Sequence, residues 1–570
     1  MTFQIILTLI LILASLLLIE FLAMESSARS AVYDSKKENQ IYNLNIITSI
    51  CGNQESQTYT LNHQIVKLQL REWENSTAVA DMRIFIEVHD SNSNLVANSK
   101  ESDIELVTQK GLPIDKKINF YLSCTNSTNS YLQFQIKENI TINKDELFFS
   151  DPVVSFYDEA IVYEPDLKAE LVVQDLDYPT TMAFLGQNDI LVLEKDKGTV
   201  QRIVNGQMLE KPLLDVNVSG FAEDGLVGIA ITKEPKVNGT AYVYLYFTES
   251  GNGDITAKNE PLGNRVYRYE FANNQLINPR LILDLPHGIR SIHNGGKMVI
   301  GPDNNVYVTV GDVGEGRWKP DIDTKAQNNK TGQEPDGTGG ILRITQDGEP
   351  VGNGIIGNSF PTNLYYAYGI RNSFGMDFDP ATGNLWDTEA GDFNGDEINL
   401  VEPGFNSGWT IVEGMSHLQL KFDPNTLADF NLKGKYSDPE FMWNEEMGVD
   451  VVPTALKFIK SDKYGEKYEN DMLLADFNDG RLYHFDLNKD RTELFSRGQP
   501  SSKIANSYDD ILDQALAQFP GGIIDIQLGP DGHIYIVSLN AKHSNCDREF
   551  EGCLVHGGIK GTIFRIVPKN

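Results

Sequence analysis

Six short stretches carry residue types that could do chemistry together. They are Pro179-Thr180, Glu223-Asp224-Gly225, His293-Asn294-Gly295-Gly296, Arg371-Asn372, Pro453-Thr454 and Gly521-Gly522. His293 is the natural general base, because an imidazole's unperturbed pKa of about 6.5 lies near neutrality. The competing reading is a structural His bonded to a neighbouring loop. Arg371 suits three roles: stabilising a developing negative charge, pinning a loop carbonyl, or pairing with Glu223. A further stretch runs Glu389-Ala390-Gly391-Asp392-Phe393-Asn394-Gly395-Asp396-Glu397-Ile398-Asn399. It is rich in hard oxygen ligands, a composition that suits calcium. It lacks the D-x-D-x-D-G spacing of an EF-hand loop, and a solvated acidic loop is the alternative.

These residues need a scaffold that brings distant segments together, and a repeat supplies one. From about residue 168 an apolar alternating strand recurs, followed after a turn by a second strand ending in basic or polar residues. The first members are Ile190–Glu194, Tyr242–Tyr246, Val306–Val310, Leu385–Thr388, Met472–Ala475 and Ile534–Val537. Another apolar strand precedes each pair. Core strands at quasi-regular spacing with variable insertions predict a six-bladed β-propeller over 168–570. The last unit lacks a fourth strand, and Ala169–Gln174 has no other assignment, so that stretch is expected to close the ring. The innermost strand of each blade lines the channel. The six stretches named above enter those strands and so converge on one mouth.

Residues 41–160 read differently. Short period-2 runs such as Ile65–Leu70, Met82–Val88 and Tyr131–Ile136 predict about seven antiparallel strands and a small immunoglobulin-like β-sandwich. No chemical motif occurs there.

The chain has 570 residues, 48 Lys+Arg against 80 Asp+Glu, and a net charge of −32. Phosphate neutralisation needs clustered cations, so nucleic acid is excluded as a partner and an anionic membrane surface is disfavoured. Residues 5–24 are almost continuously apolar, about the length of a membrane span. No Lys or Arg precedes them, so residues 1–30 are read as either a signal peptide or an uncleaved membrane anchor. Both place the rest outside the cytoplasm, extracellular or at the cell surface. Asn-x-Ser/Thr sequons at Asn75, Asn126, Asn139, Asn217, Asn238 and Asn329 agree with export, and so do four cysteines expected to pair Cys51 with Cys124 and Cys546 with Cys553.

The stretch from His293 through Asn294-Gly295-Gly296-Lys297-Met298 to Val310-Gly311-Asp312 resembles the soluble PQQ-dependent glucose/sorbosone (aldose sugar) dehydrogenases. So do Ala326-Gln327-Asn328, Gly340–Ile344, Tyr368–Asn372 and Asp396–Leu400 through Gly408-Trp409. The resemblance covers about 170–570 and implies a six-bladed propeller with a pyrroloquinoline quinone (PQQ) over the mouth and calcium beneath it. It implies that His293 takes the proton of a sugar C1 hydroxyl while hydride passes to the quinone. It implies a catalytic role for Arg371, cofactor contacts at Glu223, Asn372 and Thr454, and metal ligation around Gly391, Asp392, Asp396 and Glu397. The chain departs from that pattern in charge. A Gln is replaced by Glu223, a His-Gly-Pro loop by Ala390-Gly391-Asp392, a Lys by Asn478, and two Arg by Gly522 and Ile524.

The expected function is an exported sugar dehydrogenase-like oxidoreductase acting on a small sugar, with the electron acceptor open. A non-catalytic, calcium-stabilised extracellular module binding glycans or proteins is one alternative. A metal-dependent lactonase using Glu223, Asp224 and Asp392 is the other.

Overall fold

The computed structural model describes residues 160–569, apart from 233–240, 252–260, 289–290, 315–322, 393–394, 420–421, 431–432, 446–448, 497–498, 501–502, 508, 513 and 541–558. Before residue 160 it describes the backbone of six strands. The chain divides into two compact units, Met1–Val153 and Val154–Asn570.

In the first unit, Ile41–Leu44, Ser130–Ile136, Ile84–Asp90 and Leu95–Asn98 form one four-stranded sheet in that order. Ser102–Val107 and Pro113–Phe120 form a separate antiparallel pair. The runs expected at Met82–Val88 and Tyr131–Ile136 are therefore strands. Much of the expected sandwich lies outside the described residues. The apolar segment 5–24, the run Ile65–Leu70, all four cysteines and the sequons at Asn75, Asn126, Asn139 and Asn238 lie outside the described residues. Among the described residues no helix is long and apolar enough to cross a membrane.

The second unit is an all-β propeller. Between Leu167 and Pro568 the strands form six successive sheets, each led by an inner strand. The inner strands are Pro179–Gly186, Leu226–Ile231, Met298–Ile300, Ser373–Phe378, Pro453–Phe458 and Ile523–Leu528. Each touches the next, and the last touches the first, so the ring closes. The final sheet closes as the sequence predicts. Leu167–Asp177 pairs antiparallel with Lys560–Pro568, with Ala169 opposite Ile566 and Leu171 opposite Phe564. The other sheets also carry fourth strands, which the repeat pattern did not reveal. Two are Gln275–Leu285 and Phe441–Trp443.

The core lies between the sheets rather than within one. An apolar cluster fills each sheet-to-sheet interface, from Leu193 and Val243 between the first and second to Val537 and Met182 between the sixth and first. This explains why the second strands read as unbroken apolar runs. Val306–Val310 and Met472–Asp476 are buried at every position, because sheets cover both of their faces. A hydroxyl clasp joins each of several sheets to the inner strand of the next. Thr180 Oγ1 donates to Leu226 O at 2.9 Å, Thr309 Oγ1 to Ser373 O at 2.9 Å, and Thr388 Oγ1 to Pro453 O at 3.1 Å. Thr454 Oγ1 donates to Ile523 O in the same way.

Candidate active site

The strand ends at one mouth of the ring hold the candidate residues, and hydrogen bonds show which of them meet. His293 is 5 % exposed, with a left-handed φ of 56°. Such a backbone is uncommon for a residue with a side chain and persists only where the surroundings enforce it. Two contacts enforce it here. The backbone N–H of His293 donates to Glu223 Oε2 at 2.7 Å. The loop also lies so close to Gly311 that a Cβ there would sit 2.1 Å from His293 O and 2.6 Å from Arg371 O. Glycine at 311 therefore lets the His293 and Arg371 loops pack on one strand.

His293 Nδ1 lies 2.6 Å from Asp312 Oδ1. That oxygen also accepts from Gly314 N at 3.0 Å, and Oδ2 accepts from Trp409 Nε1 at 2.7 Å. A carboxylate held by three donors requires the proton on Nδ1, which leaves Nε2 as the basic nitrogen. Among the described residues, His293 donates through its backbone N–H and its Nδ1. Sequence reasoning missed this role for Asp312, although it stands at the end of the motif that begins with His293.

Arg371 stands beside this pair. Its guanidinium lies 5.5 Å over the Trp409 ring, and Nη1 donates to Ala390 O at 2.8 Å. Nη2 is 3.5 Å from Asp392 Oδ1. Of its three expected roles, pinning a loop carbonyl is realised. The pairing with Glu223 is not, because Glu223 Oε2 instead takes His293 N and, at 3.4 Å, Asn372 Nδ2. Arg371 Nε and Asn372 Oδ1 are buried without a hydrogen-bond partner. A buried polar atom without a partner is costly unless water or a ligand meets it. Asp224 is built in structurally: Oδ1 accepts from Asn294 Nδ2 at 3.1 Å and pairs with His287 Nε2 at 2.8 Å, while Oδ2 accepts from Ser219 at 2.6 Å.

The acidic stretch divides by role. Asp396 Oδ1 accepts from Gly391 N at 3.0 Å, and Oδ2 from Val451 N at 3.0 Å and Val452 N at 2.8 Å, so its carboxylate ties two loops together. Gly391, Glu389, Glu397, Glu413, Ser407 and Arg371 line a small cavity next to Trp409. Glu389 receives the backbone N–H of Arg371 and, at 2.7 Å, Ser407 Oγ; Glu397 receives that of Gly414. Burial, then the charge of Asp387, pushes the Glu389 carboxyl up to about 8. Burial and the neighbouring Glu389 raise Glu397 well above the usual range. Glu389 was read only as part of an acidic run, and Glu413 lay outside it. Neither signals its place, because the loop that carries Glu413 has no period to read.

Glu445 stands against the same group. Burial first, then Asp396, Asp450 and Glu413, pushes its carboxyl from 4.5 up to about 9. The folded chain therefore holds a proton that the unfolded chain releases above about 4.5, and stability falls as pH climbs from there to about 9. Glu445→Gln is expected to flatten that fall. It should raise the melting temperature by a few degrees at pH 8.5 and leave it nearly unchanged at pH 5. Equal shifts at both pH values would remove the charge explanation.

Residues 176–544 match the glucose/sorbosone dehydrogenase family. The chain belongs to that family. It is 24 % identical over 400 residues to the aldose sugar dehydrogenase YliI of Escherichia coli, covering 69 % of this chain and 95 % of that one. It is 29 % identical over 262 residues to quinoprotein glucose dehydrogenase B of Acinetobacter calcoaceticus, covering 43 % of this chain and 52 % of that one. The crystal structure of the soluble aldose sugar dehydrogenase of Escherichia coli in its apo form superposes with a TM-score of 0.51 at 19 % identity. The match covers 71 % of this chain and all of that one, and it shows the shared propeller.

Membership in this glucose/sorbosone dehydrogenase family makes a quinone the group to test against the mouth. Arg371 Nε offers a donor and Asn372 Oδ1 an acceptor that no described residue satisfies. Thr454 offers less than expected, since its hydroxyl proton is committed to Ile523 O in the ring clasp. Glu389, Glu397 and Glu413 line the cavity beside Arg371 but do not bring three ligand atoms within reach of one ion; among the described residues the group that does is Asp471, His484 and Asp486.

Proposed function

We propose that the chain is an exported oxidoreductase that oxidises the C1 hydroxyl of an aldose-type sugar, using a quinone cofactor and calcium. The observation that carries this reading is the His293–Asp312 pair at the mouth, beside the two unpaired polar atoms of Arg371 and Asn372. Asp312 fixes the ring so that Nε2 takes the proton of the sugar hydroxyl, and the same carboxylate stabilises the imidazolium that forms. Glu223 holds the His293 backbone in place, and Arg371 with Asn372 orients the ligand edge. A quinone held there would supply the acceptor for the hydride that leaves C1 as the alcohol becomes a carbonyl. Calcium would supply the positive charge beneath, and the acidic stretch from Glu389 to Glu397, with Gly391 lining the cavity and Asp392 turned toward Arg371, is where it would be sought.

Dye-linked oxidation of aldoses by protein supplied with quinone and calcium tests the reading. Turnover that needs all three components supports it. Absence of turnover together with absence of quinone binding overturns it. Calcium itself has a separate readout. At a hundredfold excess over its dissociation constant it should stabilise the protein by about 2.7 kcal/mol, and Glu397→Gln should lose most of that gain.

A further inference from the structure

The fifth sheet carries a second group of ligand side chains, at the end of the ring away from His293. Its second strand, Met472–Asp476, ends at the mouth, where Asp476 pairs with Pro453 at the start of the inner strand. Asp471 precedes the other end of that strand. Strand residues advance about 3.3 Å each, which sets Asp471 about 17 Å from Asp476. The third strand, Arg481–Leu487, runs back antiparallel, with Leu473 opposite His484 and Met472 opposite Phe485. One further step of that register sets Asp471 against Asp486.

Alternation sorts the faces. Tyr483 and Phe485 turn into the core between the fourth and fifth sheets. His484 and Asp486 therefore share the opposite face with Asp471. His484 Nε2 lies 2.9 Å from Asp471 Oδ2, and one ligand atom from each of Asp471, His484 and Asp486 lies within 4.8 Å of the others. Two ligands held about 2.1 Å from a tetrahedral ion stand about 3.4 Å apart, so small side-chain rotations bring all three onto one ion. The side chains of His484 and Asp471 are 16 % and 12 % exposed, and the Tyr468 ring meets the imidazole edge to face at 5.0 Å. Carboxylates directly opposed on neighbouring strands repel, and a cation shared by both turns that repulsion into ligation.

A separate observation points the same way. The carbonyl of Gln514 accepts the backbone N–H of His484 at 2.8 Å. Gln514 precedes Ala515, which pairs with Tyr483 on the other face, so alternation puts Gln514 on the His484 side. Gln514 is 7 % exposed, and its Oε1 is buried without a hydrogen-bond partner. A buried amide oxygen in that state is costly unless water or a cation meets it.

The geometry points to a divalent transition-metal site of the zinc class at Asp471, His484 and Asp486, with Gln514 on the same side as a further oxygen donor. One imidazole and two carboxylates make a mixed nitrogen and oxygen set, which suits zinc, whereas calcium takes a cage of oxygens. The site is separate from the mouth and does not depend on the quinone reading. Its role is structural: the ion ties the second strand of the fifth sheet to the third where the loop through Asp471 enters.

The test uses the full-length protein, stripped with a chelator and then titrated with zinc chloride or calcium chloride by calorimetry. Zinc is expected to bind in an event that a tenfold excess of calcium does not displace, and to raise the melting temperature by several degrees. Asp486→Asn should weaken that event at least tenfold and His484→Gln at least a hundredfold. The unaltered protein gives a readout of its own: zinc should slow the modification of His484 by diethyl pyrocarbonate at least tenfold, as mapped by peptide mass spectrometry. No zinc binding by the unaltered protein would overturn the site. So would zinc binding that both substitutions leave unchanged, or a rate of modification at His484 that zinc does not alter.

Discussion

His293→Ala should lower kcat for sugar oxidation by about 10²- to 10⁴-fold, the range that a positioned general base contributes, with KM little changed. The argument is local. Nε2 is the acceptor nitrogen because Asp312 holds Nδ1 from below at 2.6 Å, and Asp312 is itself fixed by Gly314 N and Trp409 Nε1. Alanine removes the base and leaves Arg371, Asn372 and Glu223 in place, so ligand binding survives while proton transfer does not. Asp312→Asn separates chemistry from scaffolding. An asparagine amide can present its NH₂ to Nδ1, which turns the tautomer over and directs the proton to Nε2, where the base is needed. Its kcat should therefore fall nearly as far as that of His293→Ala, with quinone binding and melting temperature close to the parent. Trp409→Phe removes one donor to Asp312 and keeps the ring under Arg371, so it should cost far less. If Asp312→Asn kept parental kcat, His293 would be a structural histidine and the proposed chemistry would fail with it.

The frame of this site was legible because its parts are periodic. Alternating strands, turns between them and an orphan run at Ala169–Gln174 were enough to close the ring, and the closure pairs Ala169 with Ile566. His293, Arg371 and Glu223 were legible as neighbours because inner strands start at one mouth. What was not legible depends on contacts between segments far apart in the chain. Asp312 looks like the end of a strand until the imidazole is seen above it. Thr454 reads as a ligand contact, but around the ring Thr180, Thr309 and Thr388 do the same clasping work. The −32 charge became informative only in place. Glu389, Glu397, Glu413 and Glu445 crowd one side of the mouth, where burial and mutual repulsion raise Glu389, Glu397 and Glu445. The same number spread over a surface would have meant little more than solubility.

Asp525 is the residue whose loss should cost the fold most, and nothing in its local sequence marks it. It interrupts the apolar strand Ile523–Leu528 and is fully buried. Oδ2 accepts from Thr181 Oγ1 at 2.8 Å and from Met182 N at 2.9 Å, both in the first inner strand. Oδ1 accepts from Lys297 Nζ at 2.7 Å, which enters from the third sheet, opposite the sixth in the ring. One carboxylate thus ties the sixth sheet to its neighbour and, across the channel, to the sheet facing it. Asp525→Ala would leave a buried ammonium, a backbone N–H and a hydroxyl without their partner. Breaking a buried pair on one side typically costs about 3–5 kcal/mol, and the unpaired N–H adds to that. Chemical denaturation should show that loss. Asp525→Asn, which keeps an acceptor for Thr181 and Met182, should lose less. Lys297→Met combined with Asp525→Ala should cost less than the sum of the two single changes, because the second removes the charge that the first strands. A strictly additive pair would mean that the cross-channel bond carries no energy of its own, and that the ring is held by the apolar interfaces between sheets alone.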